Sequence, residues 1–147
     1  MREYPTRPWV GIGVVVHKNQ DILLIKRAKH PNKGMWSLPG GAQNIGETIF
    51  AGAQREVLEE TCIETKDHTL IDFVDSITYD DNGKIEYHYT LIEVSCLYKS
   101  GQLNAQDDAS DARWVAYRDL ADYDLPAKTH EIIKRAYLSR KDSFMDE

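Results

Sequence analysis

Residues 41–63, GAQNIGETIFAGAQREVLEETCI, join a glycine-rich loop to an acidic amphipathic segment. From Thr48 to Thr61 the pattern is helical, with Thr48 a natural N-cap because its hydroxyl can take a backbone N–H of the first turn. Phe50, Ala53 and Val57 fall at spacings that put them on one apolar face. Glu56, Glu59 and Glu60 stand at i, i+3 and i+4, beside that face. Two carboxylates about 4 Å apart repel by about 1 kcal/mol in water and about 4 kcal/mol at an effective dielectric near 20. The acids also crowd the helix C-terminus, where the macrodipole disfavours negative charge. A structural helix gains nothing from this arrangement, whereas a divalent cation removes the repulsion. Clustered carboxylate oxygens suit hard ions such as Mg2+ or Mn2+. Arg55, four residues before Glu59, can hold that carboxylate in position. Gly40 and Gly41 allow a backbone carbonyl close to a ligand.

Outward from this cassette, residues 9–17 and 22–25 read as strands joined by a turn at Asn19-Gln20-Asp21. A long loop broken by Gly34, Pro39 and Gly40 leads into the cassette, with a short extended piece at Trp36-Ser37-Leu38. Residues 71–79 and 85–97 are rich in β-branched and aromatic residues, and Asn82-Gly83 between them signals a hairpin. A short strand at 113–116 follows an acidic loop, and a second helix starts near Pro126. Ile132, Ile133, Ala136 and Tyr137 give that helix a core face, and residues 141–147 read as a frayed tail. The elements amount to an α/β fold, a mixed sheet flanked by helices.

With 147 residues, 41% hydrophobic and 29% charged, the chain fits one domain, residues 1–147, with one core. No apolar run is long enough to span a bilayer, and no secretory leader pattern opens the sequence, so a cytoplasmic location with no membrane partner is expected. Cys62 and Cys96 form no disulfide framework. The net charge is −6 and the Lys and Arg residues are scattered, which argues against a nucleic-acid surface. A small phosphate substrate is compatible with that charge if divalent ions reverse the local field.

Taken together, Gly41, Glu47, the Arg55-Glu56 pair, Val57, Glu59, Glu60 and Ile63 resemble the Nudix box. The lead-in Leu38-Pro39-Gly40-Gly41 is also similar to that of the family. One defined position departs: Cys62 stands where the family has the glycine that ends the helix in a left-handed conformation. A non-glycine residue there costs on the order of 1 kcal/mol and touches the cap, not the acids. The resemblance implies a Nudix-type α/β/α sandwich that hydrolyses a nucleoside diphosphate linked to another moiety. It implies metal binding by Glu56, Glu59, Glu60 and the Gly41 carbonyl, supported by Glu47 and Arg55. It leaves the general base open between Glu59 and the loop of Asp107, Asp108 and Asp111. Arg27 is a candidate for a substrate phosphate, and Trp36 or Tyr79 for stacking on a base. The overall layout resembles short bacterial ADP-ribose pyrophosphatases. Hydrolysis of oxidised nucleoside triphosphates or dinucleoside polyphosphates stands as the alternative, and a nucleotide-binding sensor as the alternative of another class. A homodimer is the oligomeric state that the family resemblance suggests.

Overall fold

The computed structural model describes residues 2–30 and 32–145, with side chains described through residue 141. Seven strands form one mixed sheet among these residues. They are β1 (Trp9–Lys18), β2 (Asp21–Arg27), β3 (Trp36–Ser37), β4 (Gly40–Ala42), β5 (Glu64–Tyr79), β6 (Ile85–Ser100) and β7 (Ala109–Ala116). The main order is β3-β2-β1-β6-β5, with β4 paired to β1 and β7 to β2. β1 and β6 run parallel, from Trp9 opposite Tyr89 to His17 opposite Leu97. The other pairs are antiparallel.

Alternation along β1 assigns the two faces. Ile12, Val14 and Val16 pack with Leu23, Val94 and Cys96 against Ala53 and Val57 of helix α1 (Ile49–Thr61). Val15 points the other way and packs with Ile22, Leu24 and Val115 against Ile132, Ile133 and Ala136 of helix α2 (Ala127–Met145). A helix on each face makes the α/β/α sandwich, and it explains why Val14, Val15 and Val16 are all fully buried.

Several elements exceed their sequence-based limits. β5 begins at Glu64, β6 ends at Ser100 and β7 starts at Ala109, because pairing with a neighbour extends a strand beyond its apolar stretch. The Asn82-Gly83 turn is present: Gly83 has φ 79°, and the Asp80 carboxylate takes the N–H groups of Asn82 and Lys84 at 2.9 Å. The segment after β7 is a 3-10 helix, Tyr117–Tyr123, that the sequence pattern did not mark. α2 continues to Met145, through most of the segment expected to fray from residue 141; residues 146 and 147 lie outside the described residues. Phe50 is corrected as a core residue. It is 41% exposed and stacks on His68 at 6.0 Å, while Ala53 and Val57 keep the buried face with Ile49 packed beside them.

Candidate active site

α1 starts as expected, with Thr48 Oγ1 accepting the Ala51 N–H at 3.1 Å. It ends at Cys62, whose φ of 64° is left-handed and whose N–H donates to the Leu58 carbonyl at 3.0 Å. The departure from glycine therefore leaves the cap geometry intact. One turn before that cap, the three box acids fan out instead of sharing one environment. Glu60 is buried at 2% exposure, the Glu56 side chain is 13% exposed and that of Glu59 is 45% exposed.

Arg55 organises this cluster. Its Nε donates to Glu47 Oε2 at 2.6 Å and its Nη2 to Glu47 Oε1 at 2.9 Å, a two-pronged pair. Nη1 reaches Glu56 at 2.9 Å and Glu59 at 3.3 Å, and Nη2 also donates to the Ala42 carbonyl at 3.0 Å. A guanidinium has five N–H donors, and these contacts use them all. The i,i+4 contact with Glu59 read from the sequence is thus the longest of the set, and the pair with Glu47 the tightest. Glu47 is held further by the Asn44 N–H at 3.0 Å. Arg55 keeps the Glu47 carboxyl below its usual range, and the carboxylates hold the guanidinium protonated.

The backbone of β4 closes the cluster. Gly40 N–H donates to Glu60 Oε1 at 2.8 Å. Gly41 faces the Glu56 carboxylate so closely that a Cβ there would collide with it. Burial pushes the Glu60 carboxyl up to about 8, with the charges of Glu56 and Asp108 adding to the rise and the Gly40 bond opposing it. Burial likewise raises Glu56 against the pull of Arg55, and again Glu59 and Asp108 add to the rise. These groups are thus short of positive charge. Among the described residues no three His, Cys, Asp or Glu side chains already stand at ligand spacing around one point. In chemistry the donors still fit a hard divalent cation: the carboxylates of Glu56 and Glu60 and the backbone carbonyl of Gly41 are oxygen ligands crowded around one strand.

A cavity of about 320 Å³ opens beside this cluster, and Arg27, Trp36, Gly40, Gly41, Glu60 and Asp108 are among its lining residues. Asp108 also pairs with Lys29 at 2.7 Å. Trp36 lines the cavity with its ring fixed edge-on to Tyr123 at 5.2 Å and under the Arg113 guanidinium at 4.8 Å. Tyr79 is corrected. It sits near the tip of the β5–β6 hairpin, 60% exposed, and does not line the cavity. The sequence pattern did not mark one further acid of this cavity. Glu93 interrupts the apolar run Leu91-Ile92-Val94 of β6, is 7% exposed, and lines the same cavity. An acid inside an apolar strand was the signal.

Fold and cluster together define a class, and a sequence model of the NUDIX domain matches residues 7–138. The chain belongs to the NUDIX family and is one of its pyrophosphohydrolase enzymes. Among its relatives is the ADP-ribose pyrophosphatase of Methanocaldococcus jannaschii, 34% identical over 134 residues, which are 91% of this chain and 75% of that one. Nudix hydrolase 2 of Arabidopsis thaliana is longer: it is 29% identical over 75% of this chain, and the match spans 40% of its own length. The NUDIX domain of Shewanella oneidensis NrtR, solved with ADP ribose, shares the fold at a TM-score of 0.75 and 21% identity, covering 92% of this chain and 90% of that one. A bifunctional NMN adenylyltransferase/ADP ribose pyrophosphatase from Francisella tularensis, solved with AMP and a manganese ion, matches at a TM-score of 0.63 and 25% identity. That match covers 91% of this chain and 42% of the other.

Proposed function

We propose that this enzyme hydrolyses ADP-ribose, or a closely similar ADP-sugar, to AMP and a sugar phosphate, and that it needs a divalent metal, Mg2+ or Mn2+. The observation that carries the reading is the continuity of the acid cluster with the cavity: Glu60, Gly40 and Gly41 belong to both. Glu56, Glu60 and the Gly41 carbonyl would hold the metal, with Glu59 at the exposed side. Bound there, a divalent ion would supply charge neutralisation for the diphosphate and activation of water. Arg55 and Glu47 act through the others: they fix the carboxylates of Glu56 and Glu59 so that little reorganisation is left for the reaction. Arg27 on the cavity wall meets a diphosphate oxygen. A water oxygen attacks one phosphorus, the bond from that phosphorus to the bridging oxygen breaks, and the leaving phosphate takes the electron pair. The water proton passes to a carboxylate. Asp108 serves better than Glu59 here, since it lines the cavity and Glu59 does not. Trp36 flanks the bound nucleotide. Residues 1–147 work as one catalytic unit.

A second reading, a domain that holds ADP-ribose without cutting it, draws on the likeness to the NrtR domain solved with that ligand. One experiment separates these readings. Purified protein is incubated with Mg2+ or Mn2+ and, in turn, ADP-ribose, nucleoside triphosphates and dinucleoside polyphosphates, and the products are resolved by chromatography. Release of AMP from ADP-ribose supports the proposal. Cleavage of triphosphates alone moves the substrate, and binding of ADP-ribose without AMP release moves the protein to the sensor class.

A further inference from the structure

Glu93 lies in the middle of β6, across from Gly13 of β1 and Asp72 of β5. It is 93% withdrawn from solvent, being 7% exposed, and among the described residues its Oε2 has no hydrogen-bond partner. Leaving a buried polar atom unsatisfied is unfavourable, and an aliphatic residue would avoid that loss at this position. The neighbouring Asp72 adds like charge, although Arg135 of α2 engages that carboxylate. Packing therefore gives no reason for an acid here. The surroundings do: Glu93 lines the cavity that also contains Gly40, Gly41 and Glu60.

The two glycines of β1 explain how it gets there. A Cβ at Gly13 would collide with the Glu93 carboxylate, and one at Gly11 would lie 2.6 Å from Leu91 Cδ2. Leu91 and Glu93 thus lean across the bare positions of β1 and become part of the cavity wall. The cavity wall also includes Tyr89, Met35, Trp36 and Pro126, which suit a flat ring, together with Arg2. The charged groups that suit phosphate and metal, Arg27, Glu60 and Asp108, belong to the same cavity. A substrate with an anionic centre and a planar base finds a match for both parts.

We propose that Glu93 is a specificity residue that reads the amino-bearing edge of the substrate's adenine ring, through the buried carboxyl that Gly13 makes room for. This rests on the reading of the substrate as an adenine nucleotide. On the edge that carries the amine and N7, adenine sets a donor beside an acceptor, whereas a purine with a carbonyl in place of the amine sets two acceptors there. Burial pushes the Glu93 carboxyl up to about 7, so near neutrality it can accept from the amine and, when protonated, also donate to the ring nitrogen.

The test measures binding of AMP and IMP by calorimetry in EDTA, for the unmodified protein and for E93Q and E93L. IMP has the same ribose and phosphate but a carbonyl in place of the amine. The unmodified protein is expected to prefer AMP by about tenfold or more, from a hydrogen bond to a buried carboxyl. E93L loses that preference, while its melting temperature rises because an unsatisfied buried carboxyl has gone. E93Q keeps part of the preference, since an amide also pairs a donor with an acceptor. Equal binding of AMP and IMP by the unmodified protein overturns the inference, as does no binding of either, or a preference that survives in E93L. Loss in E93L of discrimination against 2′-deoxy-AMP, with the AMP preference intact, overturns it in favour of a ribose contact. Hydrolysis of ADP-ribose is assayed in parallel. Protein that prefers AMP but leaves ADP-ribose intact refutes the hydrolase reading alone, and protein that cuts ADP-ribose without the preference refutes only the role of Glu93.

Discussion

Glu60 joins two requirements in one side chain: it is buried like a core residue, and it belongs to an acid cluster at a cavity. Replacing it by Gln retains an oxygen for the Gly40 N–H, so the fold should hold while a charged ligand is lost. We expect E60Q to lower hydrolysis by on the order of 100-fold or more, with an unchanged circular dichroism spectrum. If E60Q keeps most of the activity, Glu60 is not a metal ligand. Cys62 offers the opposite kind of change. Its left-handed φ of 64° is one that glycine adopts freely, so C62G relieves backbone strain while adding some unfolded-chain entropy. The net gain is up to about 1 kcal/mol in denaturant unfolding, with activity unaltered. His17 provides a pH-dependent counterpart. It is 1% exposed, and its Nε2 lies 3.1 Å from Ser95 Oγ, which also accepts from Arg140 Nε at 2.8 Å. The Ser95 hydroxyl keeps its hydrogen and can donate it to an unprotonated Nε2. Burial, with the Arg140 charge, brings its pKa down to about 3, from an unfolded value near 6.5. The unfolded chain therefore takes up the proton first. This contribution to stability is complete above about pH 6.5 and is lost as pH falls toward 3, at up to roughly 1.4 kcal/mol per pH unit. Urea titrations at pH 7, 5.5 and 4.5 should show the wild type losing more stability than H17Q; parallel losses would refute the assignment.

At the scale of elements, α1 is where packing and chemistry meet, and Gly52 shows the conflict. Alanine there raises helix propensity by up to about 1 kcal/mol. Its Cβ, however, would lie 2.5 Å from Ile12 Cδ1 and 2.8 Å from Glu47 Oε1. G52A should therefore lower both melting temperature and turnover, because displacing Glu47 loosens Arg55; a variant that gains stability and keeps its rate would refute this. The box itself was legible in the sequence because its residues serve a local helix: Thr48 caps it, Val57 anchors it, and the acids follow at fixed spacing. The hairpin at Asn82-Gly83 was legible for the same reason, since the turn is a local event. Phe50 misled because side-chain spacing does not say how wide the buried stripe is. Tyr79 misled because a position along a strand does not reveal how far the hairpin projects. The short β4 was invisible, as three residues of Gly-Gly-Ala have no strand preference of their own and pair only because Ile12 and its neighbours are there. Glu93 and Gly13 come together through a parallel pairing that no local pattern announces.

The whole molecule ties the site to distant parts of the chain. Glu47, Arg55, Glu60 and Gly40 link a loop, a helix and a strand, so a divalent ion held at Glu56 and Glu60 would restrain all three at once. Mg2+ should raise the melting temperature in proportion to the logarithm of its concentration above its dissociation constant, and E60Q should blunt that rise. EDTA should abolish hydrolysis while leaving the secondary structure in place; retained hydrolysis in EDTA would exclude the metal requirement. Among the described residues no helix is long and apolar enough to cross a membrane. The parallel pairing of β1 with β6 has a further consequence, in the order of synthesis. His17 of β1 and Ser95 of β6, joined through their side chains, are 78 residues apart in sequence, so the central strand leaves the ribosome long before the strand that completes its hydrogen bonds. Until β6 follows, the fully apolar Val14-Val15-Val16 can be covered only by elements made before it, such as β2, β4 and α1, and lacks its parallel neighbour. The apolar strand is thus made well before the strand that completes its pairing, so slow elongation between the two would prolong its exposure and favour aggregation of the nascent chain.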